Sequence, residues 1–395
     1  MKTLIEIFDE CQIKNVITTL LLKPERVVFL GSKNSMSDEK IKIIETFFES
    51  RGVKSALLFE KVEKFDFETI TKRIAEITEK YPDSVFDITG GKEIAIAAVG
   101  KTLADKNIPM IQFDVKESRI VMCEKCNESF AKMHNEQISI DDIVFLNRGK
   151  VKNRLNTRDF DADFIKDIEN AWNIAKKGCG NWNRQATTFG NFDKLSKTSD
   201  SLFVEADFNE LKNTGKEIYI NKKIISLLTE GGLICGFKEE NGKISFSYKN
   251  ENVHNLLTKA GNVLELYAYS LIKEERGMVG DYAVGVIVDW DGVDDSGAET
   301  SNEIDIMLVK GFTPVFISCK NGEVHKEALY ELDSVADRFG GEYAEKVMLA
   351  TYLSGNEEKR EYLKMRAKDM GIKLISGIEE MTQEELKTEL GKIVK

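Results

Sequence analysis

Asn302-Glu303-Ile304-Asp305-Ile306-Met307-Leu308-Val309, then Lys310-Gly311-Phe312-Thr313, then Pro314-Val315-Phe316-Ile317-Ser318-Cys319-Lys320, is the stretch that decides how the C-terminal part folds. Two apolar runs flanking a short turn with a glycine predict a β-hairpin. Period-two alternation puts Glu303 and Asp305 on one face of the first strand, and Ser318 and Lys320 on one face of the second. Oxygen ligands such as Asp305 and Glu303 suit a hard divalent cation. Such an ion lowers the pKa of its water and offsets charge building up on a phosphate. Lys320 can hold the attacking water or neutralise the phosphorane. Glu265, on a preceding helix, is placed to serve as an outer carboxylate. The competing reading of the same charges is a surface hairpin laced by salt bridges.

The flanks complete an α/β unit. Val263 to Tyr269 opens an amphipathic helix, Val284 to Val288 is a short strand, and Leu329 to Phe339 is a helix. Val347 to Thr351 reads as a buried strand, Tyr362 to Met370 as a helix, and Ile372 to Ile375 as a last strand.

The first portion alternates strands and helices. Arg26–Ser32, Ser55–Phe59, Ser84–Ile88 and Ile108–Phe113 read as strands, with helices over Asp38–Phe48, Ile70–Ile77 and Glu93–Leu103. Arg119–Met122 reads as an edge strand. This rhythm predicts an open, mainly parallel sheet with helices on both faces, whose ligands sit at the carboxyl ends of the strands. Two strand-end loops stand out. Thr89-Gly90-Gly91-Lys92 follows one strand, where paired glycines let backbone approach an anion and the next helix favours negative charge. Ser32-Lys33-Asn34 follows another. If their strands are neighbours, the loops form one floor for a phosphate-bearing ligand. Glycines at such turns also have a purely steric explanation, and neither a Walker loop nor a dinucleotide fingerprint is present.

The middle carries fewer signals. Phe164–Ala175 and Lys222–Leu228 read as helices, the second ending at Gly231-Gly232. Cys235–Tyr248 reads as a hairpin turning at Asn241-Gly242. Helix followed by hairpin has the form of a winged helix, for which a spacer or dimerisation role is favoured over DNA reading.

Whole-chain properties bound the function. A length of 395 residues implies more than one domain. Hydrophobic residues at 42% and charged residues at 31% describe a soluble globular chain. No apolar run is long enough to span a bilayer and no secretory leader is evident, so a cytoplasmic location without membrane partners is expected. The net charge of −11 argues against constitutive binding of nucleic acid through the overall field, leaving a local or switched contact. Of six cysteines, only Cys123 and Cys126 have ligand-like spacing, with His134 nearby, and a closed zinc site needs more. His254 and His325 have no partner pattern for nucleophilic catalysis.

Asp87-Ile88-Thr89-Gly90-Gly91-Lys92-Glu93 resembles the ligand loop of CARF domains, the CRISPR-associated Rossmann folds that sense cyclic oligoadenylates. Asn302-Glu303-Ile304-Asp305 with Ile317-Ser318-Cys319-Lys320 resembles the active-site hairpin of PD-(D/E)XK nucleases. Sensor first and nuclease last is similar to the ancillary nucleases of type III CRISPR systems. The resemblance implies a CARF domain over residues 1–135, a winged-helix-like segment over 136–257 and a nuclease over 258–395. It implies Asp305, Glu303 and Glu265 as carboxylates holding Mn²⁺ or Mg²⁺, and Lys320 as the motif lysine. It also implies Ser32, Lys33, Asn34, Thr89, Gly90, Gly91 and Lys92 around a cyclic nucleotide, with Gln12 and Asn15 as further candidates. A homodimer would bind cyclic tetra-adenylate across two sensor domains, and the substrate would be DNA or RNA. In one respect the chain departs from the pattern: Ser318 stands where an acidic residue is usual. Glu303 or Glu265 would then make up the carboxylate count. The alternative is a cyclic-nucleotide-regulated nucleic-acid-binding protein with a degenerate nuclease fold.

Overall fold

The computed structural model describes residues 2–124, 136–157, 160–193, 201–207, 210, 213, 215, 218–274, 279–292 and 301–394. Cys126 and His134 lie outside the described residues, and Cys123 is exposed.

The first sheet contains β1 (Thr3–Ile7), β2 (Arg26–Ser32), β3 (Ala56–Val62), β4 (Ser84–Asp87), β5 (Met110–Asp114) and β6 (Arg119–Glu124), in the order β3-β2-β1-β4-β5-β6. All neighbours are parallel except β5 and β6. The helices Asp38–Ser50, Phe67–Lys80 and Glu93–Leu103 form the crossovers. Sequence reading misses β1 because Thr3 and Glu6 interrupt its apolar run. All five of its residues are nevertheless buried. This strand separates β2 from β4, so the loops at Ser32 and Thr89 do not end on adjacent strands. Connections run outward from β1 through β2 to β3, then return to β4 on the other side of β1. The reversal of strand order therefore falls between β1 and β4, which is where ligands enter such sheets. At that point Glu6 and Asp87 face each other in register and are both buried. Burial, with Asp87 beside it, pushes the Glu6 carboxyl well above its usual range, and Thr19 Oγ1 donates to it at 2.8 Å.

In the middle, β7 (Lys150–Asn153) leaves for the C-terminal sheet. Next, β8 (Phe203–Asp207), β9 (Ile234–Glu240) and β10 (Lys243–Tyr248) form an antiparallel sheet in the order β8-β10-β9. The β9–β10 turn has Asn241 and Gly242 both at positive φ, the geometry an Asn-Gly hairpin favours. With the preceding Lys222–Glu230 helix this is the winged-helix-like unit expected. It is not a detached spacer. Trp172, Phe189 and Phe246 share one hydrophobic core with Leu264, Tyr267, Val315 and Ile317 of the C-terminal part. Trp172 also stacks on Tyr267 with ring centroids 5.3 Å apart.

The C-terminal sheet runs β15-β14-β13-β12-β11-β7, with β11 (Val279–Asp289), β12 (Ser301–Lys310), β13 (Thr313–Val324), β14 (Glu345–Leu353) and β15 (Ile372–Ser376). The β12–β13 hairpin turns at Gly311-Phe312, with Gly311 at φ +60°. One face packs on the Asn262–Glu274 and Gln383–Val394 helices, and the other on the Lys326–Gly340 helix. That second core continues into the first sheet, where Phe113 meets Phe312 edge-on at 5.4 Å.

Candidate active site

Backbone pairing between β12 and β13 ends at Ile306 and Ile317, and from there the strands splay. The next residues, Asp305 and Ser318, meet through side chains instead. Ser318 Oγ donates to Asp305 Oδ2 at 3.2 Å, and the Cys319 amide donates to the same oxygen at 2.6 Å. The carboxylate thus takes over an acceptor role that a strand carbonyl would otherwise fill. On the neighbouring strand, Gly285 stands opposite with φ +60°, a conformation costly for other residues. The core changes sides there: Val284 joins the core beneath the Asn262–Glu274 helix, while Val286 and Val288 join the opposite one.

The fork opens a cleft of about 190 Å³ lined by Glu303, Asp305, Ser318, Lys320, Glu331 and Leu332, among others. Ile304, Phe316 and Ile317 also border it, so consecutive residues of both strands reach it. A strictly alternating sheet face would not allow that. Four of the expected residues, Glu303, Asp305, Ser318 and Lys320, are therefore brought together. Glu265 approaches from the helix side. Burial, with the charges of Asp305 and Glu303, pushes it up to about 8, against the pull of Lys259 and Lys320. Asp305 is raised as well, mainly by burial, although the Cys319 amide and Lys320 oppose this. Burial keeps the Cys319 thiol protonated, which removes it as a nucleophile.

This donor set fits a hard divalent cation. Burial first, then the neighbouring carboxylates, raise Glu265, and burial raises Asp305, a strain a cation would relieve; oxygen donors suit Mg²⁺ or Mn²⁺. Among the described residues, no three His, Cys, Asp or Glu side chains stand close enough to cage an ion. Sequence reading did not find Glu331, on the Lys326–Gly340 helix, because an exposed glutamate on an amphipathic helix carries no signal of its own. It also missed the brace behind Lys320. Asn321 Nδ2 donates to Asn183 Oδ1 at 3.0 Å, and Asn183 Nδ2 donates to the Asn321 carbonyl, so the Cys179–Asp193 helix pins the irregular stretch of β13 after the lysine. His325 is exposed at the start of the Lys326–Gly340 helix.

The second constellation lies at the end of β1. A pocket of about 380 Å³ is lined by Asp9, Cys11, Lys14, Ser32, Gly91 and Lys92, among others. Of the expected residues, Ser32, Gly91 and Lys92 border it. Gly91 has φ +103°, and a Cβ there would lie 2.2 Å from Ile7 Cγ2, so only glycine lets this loop close onto β1. Gly90 is close but less constrained: a Cβ there would lie 3.0 Å from Asp9 Cβ and 3.1 Å from the Ile7 carbonyl oxygen. Thr89 is buried, donating through Oγ1 to Asp87 at 2.5 Å and accepting from the Phe113 amide at 2.7 Å. Gln12 and Asn15 are buried too. Asn15 spends its side chain on Asp9 backbone and on Gln12, bracing the loop from below. Lys33, paired with Glu63, and Asn34 point to solvent. Sequence reading missed Asp9, Cys11 and Lys14 because it missed the strand before them.

No curated protein sequence matches the chain. Over its full length it is similar in structure to Can2 from Sulfobacillus thermosulfidooxidans, solved in complex with cyclic tetra-adenylate, with TM-score 0.70 and 17% identity over 100% of both chains. Protein VC1899 from Vibrio cholerae is similar over 100% of this chain and 98% of its own, with TM-score 0.74 and 17% identity. At that identity these likenesses show a shared fold. The sequence itself, over residues 251–392, matches the family described as Card1-like, endonuclease domain.

Proposed function

We propose that this chain is a metal-dependent nuclease activated by a cyclic oligoadenylate, acting in type III CRISPR antiviral defence. Residues 1–135 are the sensor and 258–395 the nuclease, with β7 of the 136–257 segment completing the nuclease sheet. The observation that carries the reading is the splayed β12–β13 fork, with Asp305, Glu303 and Lys320 around one cleft inside an endonuclease domain. The pocket at the strand-order reversal supplies a place for the activator. Can2, which shares the fold, is held in complex with cyclic tetra-adenylate, and that supports this activator; a homodimer around the ligand belongs to the same proposal. No helix among the described residues is long and apolar enough to cross a membrane, in keeping with a cytoplasmic effector.

In the cleft, Asp305 and Glu303 would hold Mg²⁺ or Mn²⁺, with Glu265 behind them. When bound, the ion supplies an activated water and stabilises charge on the scissile phosphate. The rest falls to the chain. Ser318 and the Cys319 amide fix the Asp305 carboxylate in one orientation. Lys320 offers its ammonium to the phosphorane oxygens. The helix bearing Leu332 and Val335 walls the cleft and limits water.

Incubation with Mn²⁺ or Mg²⁺ and plasmid DNA or single-stranded RNA, with and without cyclic tetra-adenylate, tests the reading. Cleavage should require the activator and should fall at least about 100-fold in Asp305→Ala. Equal cleavage without activator would remove the allosteric part, and an active Asp305→Ala protein would remove the site. The second reading, a regulated nucleic-acid-binding protein with a degenerate nuclease fold, draws on Ser318 and on the loose grouping of acids. Retained nucleic-acid binding with no cleavage under saturating metal and activator would favour it.

A further inference from the structure

Among the described residues, one wall residue of the sensor pocket does not belong to the sensor. Glu342, from the turn Gly341–Tyr343 after the Lys326–Gly340 helix, borders it and pairs with Lys14. Lys14 also lies 3.6 Å from Asp9 Oδ2, with its ammonium 5.5 Å from the centre of the Tyr343 ring. We infer that Lys14 is the cation that receives a phosphate of the cyclic nucleotide, and that Glu342 is the internal anion it gives up in exchange. This rests on the function proposed above.

The two carboxylates around Lys14 are not equivalent. Asp9 accepts from the Gly91 amide at 2.7 Å and the Cys11 amide at 2.8 Å, so it is built into the loop. Glu342 has a half-exposed side chain and can swing into water. Burial pulls the Lys14 ammonium down, but Glu342 and Asp9 outweigh it and hold the group above its ordinary value. A lysine in that state stays charged and suits a phosphate as a point charge. The pocket's other lysine, Lys92, pairs at 3.4 Å with the exposed Glu10, a residue of the sensor itself.

The exchange has a route to the cleft. The helix ending at Gly340 also presents Glu331, Leu332 and Val335 to the space beside Asp305 and Lys320. At a rise of about 1.5 Å per residue, Glu331 and Gly340 lie about 13 Å apart on one rigid rod. Gly341, at φ +59°, joins that rod to the turn carrying Glu342. Releasing Glu342 from Lys14 frees the sensor end of the rod, so the nuclease end can settle differently. Ligand and helix position are thereby coupled through one ion pair.

The test uses the full chain in three forms: unaltered, Glu342→Gln and Lys14→Gln. Cyclic tetra-adenylate affinity is measured by titration calorimetry, and cleavage is measured without activator. Glu342→Gln should bind about tenfold more tightly, since no internal carboxylate competes, and should cleave above the unaltered level without activator. Lys14→Gln should bind at least about tenfold more weakly. Glu342 is exposed enough that its substitution leaves the fold intact, so the test stands even if Lys14→Gln unfolds. Equal affinity of the unaltered and Glu342→Gln proteins overturns this inference alone. No binding by the unaltered protein overturns the reading beneath it, and this inference with it.

Discussion

On the proposed function, Ser318 inside the cleft and Glu265 beside Asp305 would set how a cation is held. Ser318 gives Asp305 a hydrogen-bond donor rather than a second negative charge. Ser318→Glu should therefore tighten Mn²⁺ binding about tenfold while costing about 1 kcal/mol of metal-free stability through repulsion with Asp305. Calorimetric titration and urea denaturation read the two effects, and unchanged Mn²⁺ affinity would mean the ion does not reach this position. Glu265 supplies the pH dependence. Its folded value of about 8 lies above that of an unfolded glutamate, so the folded chain binds the proton more tightly. The stability this contributes is complete below the unfolded value and is lost as pH rises through about 8. The metal-free protein should accordingly lose more thermal stability between about pH 5 and about pH 9 than Glu265→Gln does. Mn²⁺ affinity should rise over the same window as the proton leaves. Identical pH slopes in both proteins would show that another group carries the effect.

Loops and forks, more than strands, place the chemistry. The Thr89–Gly91 loop closes onto β1 because Gly91 lacks a Cβ, with Gly90 also fitting closely. Gly91→Ala meets both a positive φ and an overlap with Ile7, and should cost about 2–4 kcal/mol of stability, read by urea denaturation. Cyclic tetra-adenylate binding should weaken with it, because Gly91 borders the pocket. A variant as stable as the parent would mean the loop can rebuild away from β1. At the other site the fork plays the corresponding part. Ending the β12–β13 ladder at Ile306 leaves Asp305 to accept from the Cys319 amide, and the Asn183 brace fixes the chain just past Lys320. The middle segment thus braces the C-terminal sheet from outside the residues that match the endonuclease family.

At the scale of the molecule, one hydrophobic core runs from the first sheet into the C-terminal one, with Phe113 against Phe312. Phe312→Ala should cost about 3 kcal/mol and split a single calorimetric unfolding transition into two. A single transition, merely shifted, would show that other contacts suffice to couple the parts. Much of this was readable in the sequence. The βα rhythm, the Asn241-Gly242 turn, the hairpin and the cleft residues Glu303, Asp305, Ser318 and Lys320 depend on periodicity and spacing, which are local properties. β1 was not readable, since a strand carrying Glu6 and Thr3 looks too polar until its neighbours bury it. Without β1, the loop that contributes Asp9, Cys11 and Lys14 has no position. Nor can linear spacing bring Glu342 to Lys14, or Asn183 to Asn321, because those pairings join segments far apart in the chain. Local pattern determined which elements form and which residues are equipped for chemistry. Tertiary packing alone decided which of them meet, because burial and long-range pairing are properties of the folded chain.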